Sequence, residues 1–587
     1  MKLGITSLFQ VFIVCSLPKP TIFSTPSCSS RIYCQGKLLH VVQLLKPFKD
    51  SKHFVDMMMK HDEKVIHTNF NNLVKNTKNI TKNDVKEFIK NNFVMEDELE
   101  IWHEDDFNEN PEILDRITVP KYRRFAKDLM PIWIFLGRRI RRHILHKEFN
   151  SRYSIIPVPY GFVVPGGRFR EFYYWDSYWI VVGLLNSDMV RTVKGMLENF
   201  LWLVDNYGFV PNGGRIYYLN RSQPPLLLMM VNEYFKVTKD TTWLKKNLPL
   251  MEKELKFWLE KKSVTFHVNN TRYTLARYNV GSSTPRPESY SEDYHTCSGL
   301  KQLSLREKCY RELKSGAESG WDFSSRWMTG RRTLSDMMVS SIIPVDLNAF
   351  LVESFHIISE FFGIVGDDNK KKRWASVHEA WRKDLHQLLY NEEDGIWYDF
   401  NKATLKQNKN FYPSNFAPLW VNMFPDRNIS QPLGKKAIKY LIKHNVFMYD
   451  GGIPTSLYET GEQWDLPNAW PPLQSLIILG LHRSGDATAK HYARRLAERW
   501  IDVNQALFDN SMVMYEKYNS EFPGEAGSGG EYEVQSGFGW TNGVILELIG
   551  EFFVRKKGEL RSSSRCNSAI QVNSIISILV FISRYKL

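Results

Sequence analysis

Two acidic residues lie in surroundings that could give them opposite protonation states. Asp322 lies between Trp321 and Phe323 in "AESGWDFSSRW", and Glu516 precedes Lys517 in "MYEKYN". A carboxyl group that aromatic rings desolvate has a raised pKa and can stay protonated near neutral pH, whereas a neighbouring cation favours the ionised form. We therefore predict a general acid at Asp322 and a general base at Glu516. The alternative for each is an ordinary surface charge.

Three arginines lie in segments rich in glycine, proline and aromatic residues. Arg168 follows a double glycine in "PGGRFREFYYWDSYW", Arg221 lies in "NGGRIYYLNRSQPP", and Arg286 lies in "STPRPESYSED". Glycine lets the backbone approach a ligand closely, and the guanidinium group offers five donors to hydroxyl or carboxylate oxygens. Aromatic rings stack on the C–H faces of sugars, so this composition indicates a sugar site. Structural salt bridges are the alternative for each arginine.

A glycine-rich segment, "GSGGEYEVQSGFGW", lies near the C-terminal end of the chain. It lacks the Lys-Ser/Thr pair of a nucleotide-binding loop, and no Walker or Rossmann glycine spacing occurs elsewhere. We therefore predict a mobile lid over a small ligand.

The elements that must position these residues are mostly helices. The segment "MVRTVKGMLENFLWLVDNYG" carries an apolar stripe and ends at Gly208, and "PVDLNAFLVESFHIISEFFG" begins with proline and ends with glycine. The same pattern occurs in "WPPLQSLIILGLHRSG", "AKHYARRLAERWIDVNQALF" and "WTNGVILELIGEFFV". Strand-like alternation is scarce. The polar, aromatic segments that separate the helices are 165–175, 211–225, 282–293, 320–327, 463–472 and 515–538. Paired helices joined by such loops predict an all-α toroid whose loops meet at one end and carry the function.

The net charge of +13, from 77 basic and 64 acidic residues, is unevenly distributed. Residues 121–152 include ten Lys or Arg and two acids, a balance that could attract nucleic acid or anionic lipid. We instead predict an amphipathic helix with solvated arginines and an inward face of Ile134, Phe135, Ile140, Ile144 and Leu145. No helix-turn-helix, zinc-finger or RNP pattern supports a nucleic-acid partner.

The chain ends and the cysteines indicate export. Residues 1–16 are typical of a secretory signal peptide, which could extend to about residue 25. The alternative for this segment is a buried N-terminal strand. We expect disulfides between Cys297 and Cys309 and between Cys28 and Cys34. Residues 556–587 loosely resemble a glycolipid-anchor signal, so we expect a secreted or surface-anchored protein. Glycosylation sequons begin at Asn79, Asn220, Asn269 and Asn428.

Seven motifs together resemble the trehalases of glycoside hydrolase family 37. The segments "PGGRFREFYYWDSYW" and "QWDLPNAWPP" resemble the two signature motifs of that family, and "GSGGEY" resembles its glycine-rich stretch. The segments "RSQPP", "RPESY", "ESGWDFSSRW" and "EKYN" are also similar, and the order along the chain is the same. The likeness extends from roughly residue 35 to residue 555.

The resemblance implies an (α/α)6 toroid with its active-site loops at one end. It also implies hydrolysis of α,α-trehalose to two glucose molecules with inversion, without a metal or other cofactor. Asp322 would be the acid and Glu516 the base, within a catalytic domain of residues 35–555. The substrate-binding positions would be Arg168, Trp175, Asp176, Asn212, Arg221, Ser222, Gln223, Arg286, Pro287, Glu288, Gly320 and Glu531. If Arg221 lines the pocket, a glycan at Asn220 would obstruct it, so we expect Asn220 to be bare.

Three other functions are compatible with parts of this pattern. An inverting glycosidase for α-glucan ends could use the same toroid, and a sugar-binding protein could have lost catalysis. The third alternative, a basic protein that binds nucleic acid or a membrane surface, is supported by the net positive charge alone. The paired signatures argue against the first, and the presence of both Asp322 and Glu516 argues against the second. No oligomeric state is predicted.

Overall fold

The computed structural model describes residues 28–103, 105–146, 151–328 and 333–555. The predicted signal segment, 1–16, and the predicted anchor segment, 556–587, lie outside the described residues.

The helix boundaries follow the residues that start and stop helices. Helix Val190–Tyr207 ends at Gly208, whose φ of 85° is favourable for glycine. Helix Pro471–Ser484 begins with two prolines and ends at Gly485, with a φ of 80°. Pro344 is the N-cap of helix Val345–Ile364. The helices predicted from the apolar stripes are therefore confirmed.

Twelve of the described helices alternate along the chain between an outer and an inner ring. The inner helices are Asp176–Asn186, Leu227–Thr238, Val345–Ile364, Ala417–Trp420, Pro471–Ser484 and Gly539–Phe552. Each inner helix contacts the next one, and the last contacts the first, which closes the ring. The outer helices are Pro120–Leu136, Val190–Tyr207, Thr241–Phe257, Asp368–Leu389, Arg427–Lys443 and Ala487–Ser511. The fold is an (α/α)6 barrel, as predicted.

The two rings differ in burial because of their positions. In the inner helix Pro471–Ser484 every residue except His482 and Arg483 is buried. The outer helix Asp368–Leu389 buries only a stripe against its inner partner. Helix Val345–Ile364 is long and apolar enough to span a membrane, but it belongs to the inner ring and is largely buried there. Its hydrophobicity is explained by packing in the barrel.

The remaining helices and the strands lie outside the two rings. The other helices are Lys37–Leu45, Ser51–Val55, Glu63–Asn76, Lys82–Asn92, Ile113–Arg116, Tyr290–Ser298 and Leu303–Glu318. The strands are Met58–Met59, Phe93–Val94, Leu99–Ile101, Gly137–Ile140, Phe162–Val163, Ser263–Val268, Thr271–Ala276, Ile342–Ile343, Tyr390–Asn391, Ile396–Trp397, Phe400–Asn401, Lys406–Gln407, Asn468–Ala469 and Tyr518–Asn519. The longest pairing is the antiparallel hairpin Ser263–Val268 with Thr271–Ala276. The first four helices form a separate apolar cluster that also includes Tyr173 and Tyr290.

The prediction of one amphipathic helix over the basic segment is wrong. Helix Pro120–Leu136 ends there, and Gly137–Ile140 form the central strand between Leu99–Ile101 and Phe162–Val163. Leu145, predicted to face inward, is 40% exposed. Pairing with two distant segments satisfies the backbone groups of this strand and overrides the helical periodicity.

Acidic side chains from other segments neutralise much of the basic segment. The ion pairs are Lys121 with Asp502, Arg123 with Asp115, Arg139 with Glu100, and Arg152 with Asp62. The excess of positive charge that is visible in the sequence is therefore smaller on the folded surface.

Both predicted disulfides are present. Cys28 is bonded to Cys34, and Cys297 is bonded to Cys309. The second bond joins helix Tyr290–Ser298 to helix Leu303–Glu318, and the segment after this second helix carries Asp322.

Candidate active site

A pocket lies at the N-terminal ends of the inner helices. The segments before these helices supply its walls, and the space not filled by protein atoms is about 620 Å³. Trp175 precedes helix Asp176–Asn186, and Trp470 precedes helix Pro471–Ser484. All six polar, aromatic segments identified in the sequence contribute lining residues.

Tryptophan rings form one apolar wall of the pocket. Trp464 and Trp470 stack with their ring centres 3.8 Å apart, and Trp175 lies 5.6 Å from Trp464 and 5.9 Å from Trp540. Gly320 has a φ of 77°, and a Cβ atom there would lie 2.8 Å from the indole of Trp175. Glycine is therefore required where the backbone meets this ring.

Asp322 lies in the pocket with its carboxyl group beside an arginine. Its side chain is 33% exposed, and Oδ2 lies 3.7 Å from Nη1 of Arg286. Burial among the pocket walls raises the pKa of Asp322 to about 6, against the opposing effects of Arg286 and Arg221. A substantial fraction of this carboxyl group is therefore protonated in mildly acidic solution.

Glu516 also lines the pocket but is only 1% exposed. Tyr532 donates its hydroxyl hydrogen to Oε1 at 2.9 Å, and the N–H of Gln535 lies 3.5 Å from Oε2. Trp540 donates its indole N–H to the backbone carbonyl of Glu516 at 3.0 Å. Burial raises the pKa of Glu516, while Lys517, Tyr532, Gln535 and Arg168 oppose the increase. These contacts hold the carboxylate in one orientation.

Lys517 favours the ionised form of Glu516, as their adjacency in the sequence predicted, but its ammonium group is directed elsewhere. The ammonium group of Lys517 donates to Gln463 at 3.0 Å and to the carbonyl of Gly529 at 3.1 Å. Burial lowers its own pKa to about 8, so its positive charge is partly lost at mildly alkaline pH. Adjacent side chains on an extended segment point in different directions, and this lysine is directed towards the glycine-rich segment.

Arg286 connects three acidic residues. Its guanidinium donates to Asp293 at 2.6 Å and to Glu531 at 2.7 Å, in addition to the ion pair with Asp322. Ser289 donates to the second oxygen of Glu531 at 3.1 Å. Burial raises the pKa of Glu531. The predicted ligand-binding residues Arg286 and Glu531 therefore contact each other in the pocket.

Arg221 lies in a second polar group on the pocket wall. Its Nε donates to Asn212 at 2.8 Å, and Nη2 donates to Glu288 at 2.6 Å. The buried Nη1 of Arg221 and Oε2 of Glu288 have no hydrogen-bond partner. Buried polar groups are almost always paired, so one donor and one acceptor remain for a ligand or water.

Arg168 is held by a residue that the sequence did not indicate. Its Nε and Nη2 both donate to the carboxylate of Asp50 at 2.8 Å. The guanidinium also lies over the ring of Tyr532, 4.8 Å from its centre. Asp50, from the N-terminal helical segment, therefore fixes Arg168 near Glu516.

Asp176 and Gln223 lie in the pocket as predicted. Burial and the nearby carboxylates of Glu516 and Asp322 raise the pKa of Asp176. Gln223 accepts a hydrogen bond from the backbone N–H of Trp175 at 3.2 Å. The three carboxyl groups therefore lie close enough to repel one another when ionised.

Ser222 and Pro287, which are predicted to contact a ligand, are not among the residues that line the pocket. Ser222 donates its hydroxyl hydrogen to the carbonyl of Val210 at 2.6 Å, and the carbonyl of Pro287 accepts from Gln43 at 3.1 Å. Both residues are buried. Their polar atoms hold neighbouring segments together, which positions Arg221 and Glu288.

Sequence reasoning missed several residues of the pocket. Its remaining walls include Phe169, Tyr173, Tyr218, Ser289, Ala317, Trp464, Trp470, Tyr532, Phe538 and Trp540. Tyr532 could have been found, because it follows Glu531 within "GSGGEY". Asp50 has no comparable local signal. Within the described ranges, no group of three or more His, Cys, Asp or Glu side chains is arranged to hold a metal ion.

A family model and curated relatives identify the family of this chain. The model of the trehalase family matches residues 46–552. The trehalase of Tenebrio molitor is 50% identical over 536 residues, which cover 90% of this chain and 96% of that protein. The trehalase of Homo sapiens is 43% identical over 533 residues, 90% of each chain. Neutral trehalase Nth1 from Saccharomyces cerevisiae has a similar fold, with a TM-score of 0.53 at 23% identity over 67% of this chain and 73% of that chain. The chain therefore belongs to the trehalase family of glycoside hydrolases.

Proposed function

We propose that the protein hydrolyses α,α-trehalose to two glucose molecules by an inverting mechanism. The main support is one pocket that contains a carboxyl group with a pKa of about 6, Asp322, and a buried, oriented carboxylate, Glu516. The ring of Trp175, which lines the pocket, provides an apolar surface for a sugar. Arg221 and Glu288 provide polar atoms without partners for sugar hydroxyls.

Asp322 acts as the general acid in this proposal. It donates its proton to the glycosidic oxygen as the bond to the anomeric carbon breaks, so that the first glucose leaves with a neutral hydroxyl group. Arg286 lies beside the carboxylate that remains and stabilises its negative charge.

Glu516 acts as the general base. It removes a proton from a water molecule as the oxygen attacks the anomeric carbon from the side opposite the leaving group. The hydrogen bond from Tyr532 directs one carboxylate oxygen and leaves lone pairs on the other for the water. Inversion requires room for this water, with carboxyl groups separated by about 6.5 to 9.5 Å.

The identity of the products tests the mechanism directly. Proton NMR during hydrolysis should show equal initial amounts of α-glucose and β-glucose, because only one anomeric carbon is attacked. Initial formation of α-glucose alone would rule out inversion. Maltose is the control substrate, and preferential hydrolysis of maltose would favour an enzyme for α-glucan ends.

We also propose that the protein is exported and glycosylated. Disulfides form and persist in oxidising compartments, and two are present. Asn79, Asn269 and Asn428 are exposed, whereas Asn220 is only partly exposed and directly precedes Arg221 of the pocket lining. Mass spectrometry of the protein from its native source should find glycans at exposed sequons and none at Asn220. A signal segment retained on the mature chain would contradict export, and release by a phosphatidylinositol-specific lipase tests the anchor.

A further inference from the structure

A second cavity lies at the end of the barrel opposite the active site. The inner helices run in the same direction, so residues at their C-terminal ends lie far from the catalytic pocket. Trp470 lines the catalytic pocket and Arg483 lines the second cavity. The helix between them separates these residues by about 20 Å at 1.5 Å per residue. We call this space the distal cavity.

Aromatic side chains separate the distal cavity from the catalytic pocket. Trp175 lines the catalytic pocket and packs against Trp179 at 5.6 Å between ring centres. Trp179 in turn stacks on Trp420 at 6.4 Å, and Trp420 lines the distal cavity. A ligand in one cavity therefore has no direct contact with a ligand in the other.

Residues from all six inner helices line the distal cavity, which has a volume of about 420 Å³. This volume is sufficient for a small organic ligand. The helix Pro471–Ser484 is otherwise buried, and its two less buried residues, His482 and Arg483, both line this space.

The lining of the distal cavity combines aromatic rings with hydrogen-bonding groups. Tyr178 and Trp420 supply rings, Glu233 and Glu353 supply carboxyl groups, and Arg483 supplies a guanidinium group. Two buried nitrogen atoms on this lining, Nε1 of Trp420 and Nδ1 of His482, have no hydrogen-bond partner. Buried polar atoms are almost always paired, so each of these two nitrogen atoms needs a partner such as a ligand or an ordered water molecule.

The charges of the lining favour a neutral ligand. Glu233 is paired with Lys236 at 2.7 Å, and Arg483 lies near Glu353. The full set of charged residues on the lining is four cations, Lys236, Arg427, Arg483 and Lys490, and three carboxyl groups, Glu233, Glu353 and Glu551, so the two signs are nearly balanced. Burial raises the pKa of Glu353 to about 7, so near neutral pH this carboxyl group can both donate and accept hydrogen bonds. Hydroxyl groups need both kinds of partner, and aromatic rings suit the C–H faces of a sugar.

We propose that the distal cavity is a second binding site, which takes a small neutral polyol of monosaccharide size. The site is independent of the catalytic pocket and does not depend on the reaction proposed for it. Its ligand hydroxyls pair with Trp420, His482 and the carboxyl groups of Glu233 and Glu353.

Hydrogen–deuterium exchange of the full-length protein, with D-glucose as the probe, measures the protection of backbone amides at each cavity separately. The relevant amides are those in 229–238 and 420–427 that exchange only when the ligand-bound structure opens. At a glucose concentration ten times Kd, these amides should exchange about tenfold more slowly than in the protein without glucose. The matched control is Asn232→Phe, which places a ring in the distal cavity without removing an ion pair. This variant should lose the protection of both segments and keep any protection of the catalytic loops.

Two results would overturn the proposal. The first is that glucose does not protect 229–238 and 420–427 in the wild-type protein. The second is that glucose protects these segments in Asn232→Phe as much as in the wild type, which would show a general effect of the solute. If Asn232→Phe does not fold, Glu353→Gln decides the question. It should require several-fold more glucose for half-maximal protection, and an unchanged midpoint would contradict the site. Trehalose turnover is not part of this measurement, so the outcome is independent of the proposed catalytic function.

Discussion

Arg286 and Asp322 form an ion pair inside the pocket, with 3.7 Å between Nη1 and Oδ2. The arginine lowers the pKa of the carboxyl group, and burial raises it by more, which gives a value of about 6. The balance between these two effects determines the pH range in which Asp322 can donate a proton.

The first prediction concerns the dependence of activity on pH. The proposed acid must be protonated, so kcat/KM should decrease as pH rises above about 6. The proposed base must be ionised, so kcat/KM should also decrease as the pH is lowered. Because the pKa of Glu516 is raised, this decrease should begin at a higher pH than for an ordinary glutamate. The measurement is kcat/KM for trehalose across this range. The control is Asp322→Asn with α-glucosyl fluoride, a substrate that needs no general acid. The kcat/KM of this variant should not decrease at alkaline pH. If it still decreases, a group other than Asp322 causes the decrease.

The second prediction separates the roles of the two carboxyl groups. Asp322→Asn and Glu516→Gln keep the side-chain shape and remove proton transfer, so each should lower trehalose turnover by about 10² to 10⁴-fold. With α-glucosyl fluoride, Asp322→Asn should recover much of its rate, because fluoride leaves with little protonation, and Glu516→Gln should not. Asp509→Asn, on the exposed face of an outer helix, is the control. Recovery by Glu516→Gln alone would reverse the assignment.

The third prediction concerns Tyr532→Phe. This change removes the hydrogen bond of 2.9 Å that stabilises the ionised form of Glu516. Loss of a hydrogen bond to a charged group costs about 1.5 kcal/mol, which equals about one pKa unit. The acid-side decrease in kcat/KM should therefore move to higher pH by about one unit. Tyr458→Phe, whose hydroxyl donates to Asn410 outside the pocket, should leave the profile unchanged. A Tyr532→Phe profile that overlays the wild type would show that this bond does not tune the base.

The fourth prediction compares two glycines with positive φ. Gly320→Ala places a Cβ atom 2.8 Å from Trp175, whereas Gly366→Ala, at a φ of 82°, has no atom within 4 Å. Both changes should lower the free energy of unfolding by about 1 to 2 kcal/mol because of the backbone. Only Gly320→Ala should also displace the ring of Trp175 and raise KM. Denaturant unfolding and steady-state kinetics measure the two effects, and equal KM values for the variants would contradict a role of Gly320 in shaping the pocket.

The helices were predictable from the sequence because their signals are local. Gly208 and Gly485 end helices where a left-handed residue is needed, and the prolines before Val345 and Leu473 begin them. The direction of the pKa shift of Asp322 agrees with the sequence prediction, but its cause differs, because neither Trp321 nor Phe323 lines the pocket. Apolar periodicity and terminal residues act within a few positions of the chain, so no tertiary information is required.

Only the tertiary structure decided how the charged side chains pair. Lys517 is adjacent to Glu516 in sequence but binds Gln463, whereas Tyr532 supplies the hydrogen bond to Glu516. Asp50 reaches Arg168 from a helix more than a hundred residues away, and Gly137–Ile140 become a strand because two distant segments pair with them. Hydrogen bonds and ion pairs depend on positions in space, and the closure of the barrel brings together groups that the chain keeps far apart.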